Sequence, residues 1–436
     1  MLMSEFKRRR ENLMDIIKEG SMAILPAAPE KLRNRDVHYP YHQDSYFYYL
    51  TGFPEPEALA VIVPHREQGQ YLLFCREKNQ EKETWDGNRA GLECACEIYG
   101  ADDAFPITDI DDIVPGLMES CSRIYYPMGY YQDVDEKMME WMNQLRGQVR
   151  QGVVAPHEMV ALDYVLNEMR LHKTEAEVEA IRAAAAVIIR AHKRAMRFCK
   201  PGLYEYELEA EMVHELLRSG CRFSAFPTIV AGGKNACTLH YMANNEVLNE
   251  GELVLIDAGA ELDHYASDIT RTFPINGHFT PQQKTIYELV LEAQRAAMNK
   301  ITPLNKWNAP YQAAIEVVTQ GLIDLGILVG NKDKLIEEEA YKRFYMHRIG
   351  HWLGMDVHDG GNYKVDEIWR DLAPGMVMTV EPGIYIPSAE DVPNEWWNIG
   401  IRIEDDVLVT EEGYEELTAD LPKTVADIEA FMAGDS

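Results

Sequence analysis

The stretch Leu253-Val254-Leu255-Ile256-Asp257-Ala258-Gly259-Ala260-Glu261-Leu262-Asp263-His264-Tyr265-Ala266-Ser267-Asp268-Ile269-Thr270-Arg271-Thr272-Phe273 ends an apolar run in a carboxylate and soon offers another. Four consecutive aliphatics, Leu253 to Ile256, predict a strand covered on both faces, so Asp257 lies in or beside the core. A bare buried carboxylate is costly, and such groups are paired or bound to metal. If the chain reverses between Leu262 and Asp263, Asp257 and Asp268 stand equally far from the turn and face each other across a hairpin. Directly opposite residues carry Cβ atoms about 4.5 to 5.5 Å apart, and the ions of a two-metal hydrolytic site sit about 3.5 to 4 Å apart. One such pair can hold two ions. Aspartate is also common beside turns, so an ordinary hairpin with a surface ion pair accounts for the same segment.

Around this stretch, 436 residues are too many for one ordinary core, and two domains, or three, are expected. The 46% of hydrophobic residues suffices for sizeable cores. A formal charge of -30, from 42 Lys+Arg against 72 Asp+Glu, repels phosphate backbones and anionic membrane surfaces. Nucleic acid is therefore not expected as a partner. Seven scattered cysteines, with Cys94-Ala95-Cys96 lacking the spacer of a zinc knuckle, read as reduced thiols. Lys7 to Arg10 fall on an amphipathic pattern, and no apolar run approaches the ~18 residues of a membrane span. A soluble cytoplasmic protein is expected.

In chain order, Phe6, Leu13, Ile16 and Ile17 predict a first helix that Gly20 stops. Met22 to Leu25, Ala58 to Val63 and Tyr71 to Cys75 read as strands and Val134 to Leu145 as a helix, which makes the first 172 residues an α/β domain. Trp85-Asp86-Gly87-Asn88-Arg89-Ala90-Gly91 is glycine-punctuated and reads as an exposed loop whose indole wants a partner surface. Thr174-Glu175-Ala176-Glu177 is a capping box heading a helix with the stripe Val178, Ile181, Ala185, Ile188, Ala195. The second domain, 173–436, begins there. After Pro201-Gly202 a further helix carries Leu208, Met212 and Leu216, and Ile286 to Ala297 and Tyr311 to Leu325 predict two more.

Past these helices, Met346 to Asp359 concentrates His347, His351 and His358 among glycines, and Gly350 and Gly354 argue for backbone that passes close to something. Met376 to Gly383 repeats the opening device, an apolar run ending in Glu381. Ile401 to Val409 alternates, which puts Arg402 and Glu404 on one face of a strand. Singly, each segment reads as an ordinary strand or a satisfied polar residue. Together, Asp257, Asp268, Glu381, Glu404 and His351 form an oxygen-rich set. Four negative charges offset two divalent ions, and hard ligands favour manganese, iron, cobalt or zinc in an open catalytic site.

Asp257-x10-Asp268, the His347-to-His358 segment, Glu381-Pro-Gly and Arg402-Ile-Glu404, in this order, resemble the pita-bread metallopeptidases. Within that superfamily, His351 to Asp359, Thr238-Leu239-His240-Tyr241 and the Trp85-to-Gly91 segment resemble the bacterial aminopeptidase P branch. Arg348 departs from the branch, where glycine usually follows the first histidine. The resemblance implies an α/β N-terminal domain of creatinase and aminopeptidase P type, followed by an α+β pita-bread catalytic domain.

It also implies a dinuclear manganese site with Asp268 and Glu404 bridging, Asp257 on one ion, and His351 and Glu381 on the other. A water between the ions would be the nucleophile, Glu381 its proton acceptor, and His358 a hydrogen-bond donor to the scissile carbonyl. His240, also assigned to catalysis, His347, Tyr385 and Arg402 would line the pocket around the proline, with Arg370 and Trp85 as further substrate contacts. The implied reaction removes the residue before a proline from a peptide N-terminus, in a homodimer or homotetramer whose Trp85 closes a neighbour's pocket. A prolidase restricted to dipeptides, a hydrolase of another amide or ester, and a pita-bread protein that only binds are the alternatives.

Overall fold

The computed structural model describes residues 1–119 and 121–434. The chain divides into two compact units, Met1–Met169 and Arg170–Ser436.

The first unit is built on a six-stranded sheet ordered Asp103–Pro106, Tyr71–Cys75, Leu59–Ile62, Ser21–Pro26, Arg123–Tyr126, Glu158–Ala161. The central strands are buried at every position, as their continuous apolar runs require. Met118, Trp141 and Leu145 from the helices Ile110–Met118 and Gln132–Gly147 cover one face of it. The first helix, Met3–Ile17, buries two arginines. Arg9 stacks 4.1 Å from the Tyr49 ring centroid and donates to the Tyr49 carbonyl, while Arg10 donates to the Leu50 carbonyl at 2.8 Å. Trp85 is not in an open loop but at the end of a short helix, Gln80–Asp86, where it is 85% exposed.

The second unit opens with the expected capping box, Thr174 with Glu177, at the head of Glu175–Phe198. Val178, Ile181, Ala185, Ile188 and Ala195 are all buried along that helix. Further helices, Glu205–Arg218, Pro281–Met298 and Ala309–Asp324, enclose small antiparallel sheets.

Two features of these sheets differ from the sequence-based expectation, and both shape the site. The hairpin turns one residue later than expected, at Asp263-His264, whose φ values of 50° and 65° belong to a tight two-residue turn. Leu262 therefore stays in the strand opposite Tyr265, and Asp257 faces Thr270 rather than Asp268. The two aspartates are diagonal neighbours. Second, Ile401 to Val409 is not one strand. Ile399–Arg402 pairs with Gly383–Ile386, whereas Asp405–Val409 pairs with Val377–Val380. Both chains break at the same level, at Glu381-Pro382 and Ile403-Glu404. Pro382 has no N–H to extend a ladder, and the Glu404 N–H turns to the Thr270 carbonyl at 3.1 Å. The shared break delivers Glu381 and Glu404 to the first hairpin.

Candidate active site

Asp257 is the fifth residue of the buried strand Leu253–Ala258, and Asp268 immediately precedes the strand Ile269–Pro274. Between the two hairpin segments, a Cβ on Gly259 would lie 2.1 Å from the Ser267 carbonyl oxygen, so only glycine permits this approach. The histidine segment runs along the Val377–Val380 strand: the Glu381 N–H donates to the Ile349 carbonyl at 2.7 Å and the Thr379 N–H to the His351 carbonyl at 3.0 Å. Gly350 is needed there, since its Cβ would meet the Thr379 oxygen at 2.0 Å. After His358, Asp359 is buried and clamped by Arg170 and by Lys173 at 2.9 Å.

These elements converge on one cluster. His351 Nε2 lies 3.4 Å from Asp268 Oδ2 and 3.7 Å from Glu381 Oε1. Asp268, His351 and Glu404 each present a ligand atom, all within 4.8 Å of one another. His351 Nδ1 faces the Trp352 carbonyl at 3.0 Å, and a carbonyl can only accept, so Nδ1 carries the proton and Nε2 turns a lone pair toward the carboxylate oxygens, acceptor facing acceptors.

Two threonines, which the sequence reading did not single out, complete the support. Thr379 Oγ1 accepts the His351 N–H at 3.1 Å and reaches Glu381 at 3.4 Å. Thr270 Oγ1 donates to Glu404 at 2.6 Å and accepts from Arg402 Nε at 3.1 Å.

Arg402 is the one cation recorded in an ion pair with these four carboxylates among the described residues, through Asp257 at 2.6 Å. Its other arm donates to the Tyr385 hydroxyl at 2.8 Å, which lies 2.9 Å from His347 Nε2. His347 Nδ1 faces the Arg348 carbonyl at 2.8 Å, so Nε2 is the acceptor and the Tyr385 hydroxyl is the donor. Burial, joined by the charge of Arg402, holds the His347 imidazole down to about 3 and thus neutral. Burial likewise lowers His351 to about 4.

The carboxylates respond in the opposite sense. Burial pushes the Glu381 carboxyl up to about 7, against the pull of Arg402. Asp268 and Glu404 rise well above the carboxylate range through burial first, then through repulsion from the other acids of the cluster. Asp257 Oδ1 and Asp268 Oδ1 are buried without a hydrogen-bond partner. Buried, mutually repelling carboxylates with orphaned oxygens beside an imidazole lone pair are a donor set suited to divalent cations of intermediate hardness.

A cavity of about 290 Å³ opens onto this cluster. Asp257, Asp268, His351, Glu381 and Glu404 line it together with His240, His358, Phe226, Ile229 and Met242. The His351 and His358 rings stand 4.4 Å apart, edge to face. Other expected substrate residues lie elsewhere. Tyr385 and Arg402 are buried beyond Asp257 rather than on the cavity wall. Arg370 donates to the Asn362 carbonyl at 2.7 Å and lines a separate surface hollow with Lys306 and Trp369. The register of the Lys364–Trp369 hairpin, which the sequence reading did not resolve, directs it there. Trp85 belongs to the first unit, whereas every residue lining the cavity belongs to the second.

Four carboxylates and an imidazole around an open cavity define a metal-dependent hydrolase. The model of metallopeptidase family M24 matches residues 179–411, and that of the aminopeptidase P N-terminal domain matches residues 6–125. The chain belongs to metallopeptidase family M24, as the motif resemblance implied. It is 42% identical to Xaa-Pro aminopeptidases of Haemophilus influenzae and Escherichia coli, in each case over 98% of this chain and 97% of the relative. The solved structure of Pseudomonas aeruginosa aminopeptidase PepP superposes with a TM-score of 0.98 at 56% identity, covering 100% of this chain and 98% of that one. Among the similar structures is a zinc-substituted E. coli aminopeptidase P in complex with product.

Proposed function

We propose that this chain is an Xaa-Pro aminopeptidase: it hydrolyses the bond between an N-terminal residue and a following proline. The observation that carries the proposal is the cluster Asp257, Asp268, His351, Glu381 and Glu404, with His240 and His358 on the wall of one cavity. Asp257, Asp268, His351, Glu381 and Glu404 would together hold two divalent ions, and we assign manganese. Such ions supply Lewis acidity that brings the pKa of a water toward neutrality.

The remaining work falls to side chains. Glu381, oriented by Thr379, accepts the proton of the attacking water and hands it to the leaving nitrogen. The leaving group needs that proton, since an X-Pro bond is a tertiary amide whose nitrogen carries no hydrogen. His358 hydrogen-bonds the scissile carbonyl as negative charge develops. Arg402 holds Asp257, and the Tyr385 hydroxyl fixes His347 as a neutral ring at the edge of the site.

Residues 1–172 and 173–436 are assigned as an aminopeptidase P-type N-terminal domain and a pita-bread catalytic domain. The exposed Trp85 supports a homodimer or homotetramer in which this indole closes the pocket of another protomer. Seven unpaired cysteines support a cytoplasmic location. Among the described residues no helix is long and apolar enough to cross a membrane.

The test compares initial rates on an Xaa-Pro-Xaa peptide, its alanine counterpart and the Xaa-Pro dipeptide, with manganese added. Cleavage of the tripeptide alone, or of it far faster than the others, is expected. Preference for the dipeptide would assign a prolidase instead.

A further inference from the structure

His240 reaches the cavity wall from the long connection between the strands Ile229–Gly232 and Leu253–Ala258. Its ring is exposed and makes no hydrogen bond among the described residues, so it stands where its backbone puts it. What holds that backbone is the start of the helix Glu205–Arg218.

Glu205, the first residue of that helix, is fully buried, and its carboxyl collects four donors. Oε1 accepts from the Gly232 N–H at 2.8 Å and from Asn235 Nδ2 at 2.9 Å. Oε2 accepts from the Tyr241 hydroxyl at 2.8 Å and from the Glu246 N–H at 3.0 Å. The backbone adds to the grip, since the Glu205 N–H donates to the Glu246 carbonyl at 3.0 Å. One turn along the helix, Glu209 accepts from Asn244 Nδ2 at 2.9 Å. Asn244 is buried with a φ of 44°, and its amide also joins the Thr228 carbonyl at 2.8 Å and the Val230 N–H at 3.0 Å.

An acid in the first turn of a helix ordinarily serves that helix, by facing its free N–H groups. None of the four bonds of Glu205 does so; all go to residues 232–246. A buried acceptor deprived of its donors is costly, so the connection satisfies Glu205 only in the conformation that contains His240 as it stands. Both neighbours of His240 are anchored in that conformation. Leu239 and Tyr241 pack against the cluster of Ile229, Ala231, Leu255 and Tyr385, and Tyr241 is tied to Glu205 as well. The imidazole between them is left to the cavity.

We propose that Glu205 is a positioning residue of the active site: by clamping residues 232–246 it presents the His240 imidazole to the cavity before substrate arrives. A wall ordered in advance costs no further ordering when the peptide binds. This rests on the proposed aminopeptidase activity of the cavity that His240 lines.

Glu205→Gln keeps the shape of the side chain and turns one acceptor oxygen into a donor, while Tyr241→Phe removes one of the four donors. Each is made in wild-type and in His240→Ala protein. kcat and KM are measured on an Xaa-Pro-Xaa peptide with Mn2+ added, together with bound Mn2+ and the melting midpoint. Glu205→Gln is expected to lower kcat/KM by about tenfold to a hundredfold, as for a displaced active-site group, with the Mn2+ content of wild type. Tyr241→Phe is expected to lower it less. In the His240→Ala background either change should cost less than about threefold, because the group being positioned has gone. A purely structural role would lower the melting midpoint and cost the same factor in both backgrounds, which would overturn the proposal. So would wild-type kcat/KM in Glu205→Gln or in His240→Ala, and each of these results leaves the proposed activity standing. Should Glu205→Gln fail to fold, Tyr241→Phe in the two backgrounds decides. Wild-type protein that leaves the peptide uncleaved would overturn the proposed activity and the positioning role with it.

Discussion

The catalytic unit holds two buried acidic regions within a few residues of each other, and they are managed in opposite ways. The Asp405 carboxylate itself is answered: Arg271 and Lys423 pair with it, and Thr418 and Gln294 donate at 2.7 and 2.9 Å. Burial alone would raise its carboxyl, but those two cations hold it below the ordinary value. Around Asp268 and Glu404 the reverse holds, and burial and mutual repulsion raise both carboxyls. A folded chain tolerates a satisfied buried charge as structure and an unsatisfied cluster where something else completes it. Removing charge should therefore harm stability on the first side and function on the second.

The largest effect is expected from Glu381→Gln, which deletes a proposed ligand and the proposed proton acceptor together. Turnover should fall by about 10² to 10⁴ or more, with the metal-free unfolding midpoint unchanged or higher. A variant with full metal content and near-normal kcat would exclude the role.

Arg271→Ala breaks the compensated side. It leaves Asp405 with Lys423 as its one cation among the described residues and should cost about 3 to 5 kcal/mol in denaturant unfolding of the metal-free protein. A loss below 1 kcal/mol would erase the contrast between the two regions.

His358→Ala sharpens the functional side. Loss of one donor to a developing oxyanion typically costs about 10² to 10³ in kcat, with little change in KM. Unchanged kcat with a raised KM would make His358 a ground-state contact.

Trp85→Ala, outside both acidic regions, should weaken peptide binding by about 2 kcal/mol, more for longer peptides than for dipeptides, without loss of metal. Sedimentation that finds a fully active monomer at assay concentration would remove the neighbour's indole from the site.

How much of this could be read from sequence follows the same division. The clustered acids were legible because apolar runs that end in an acid, at Asp257 and Glu381, leave a carboxylate at the edge of a core. The register was not, because it depends on which two residues take positive φ, and Asp263-His264 carry no glycine to announce it. The strand break at Ile403-Glu404 was hidden by an alternation that continues through it. Thr270 and Thr379 read as ordinary strand residues. Their one signal is spacing, two positions from Asp268 and two from Glu381, which puts each on the face of the nearby acid. Partners such as Arg271 and Asp405, 134 residues apart, meet only in the fold.

The most direct test of the central claim is the rate of release of the N-terminal residue from an Xaa-Pro-Xaa peptide as metal-stripped protein is titrated with Mn2+. The uncompensated carboxylates predict no activity without metal and a rise that saturates at two equivalents per chain. Full activity in the metal-stripped protein, or no activity at any Mn2+ concentration, would contradict it.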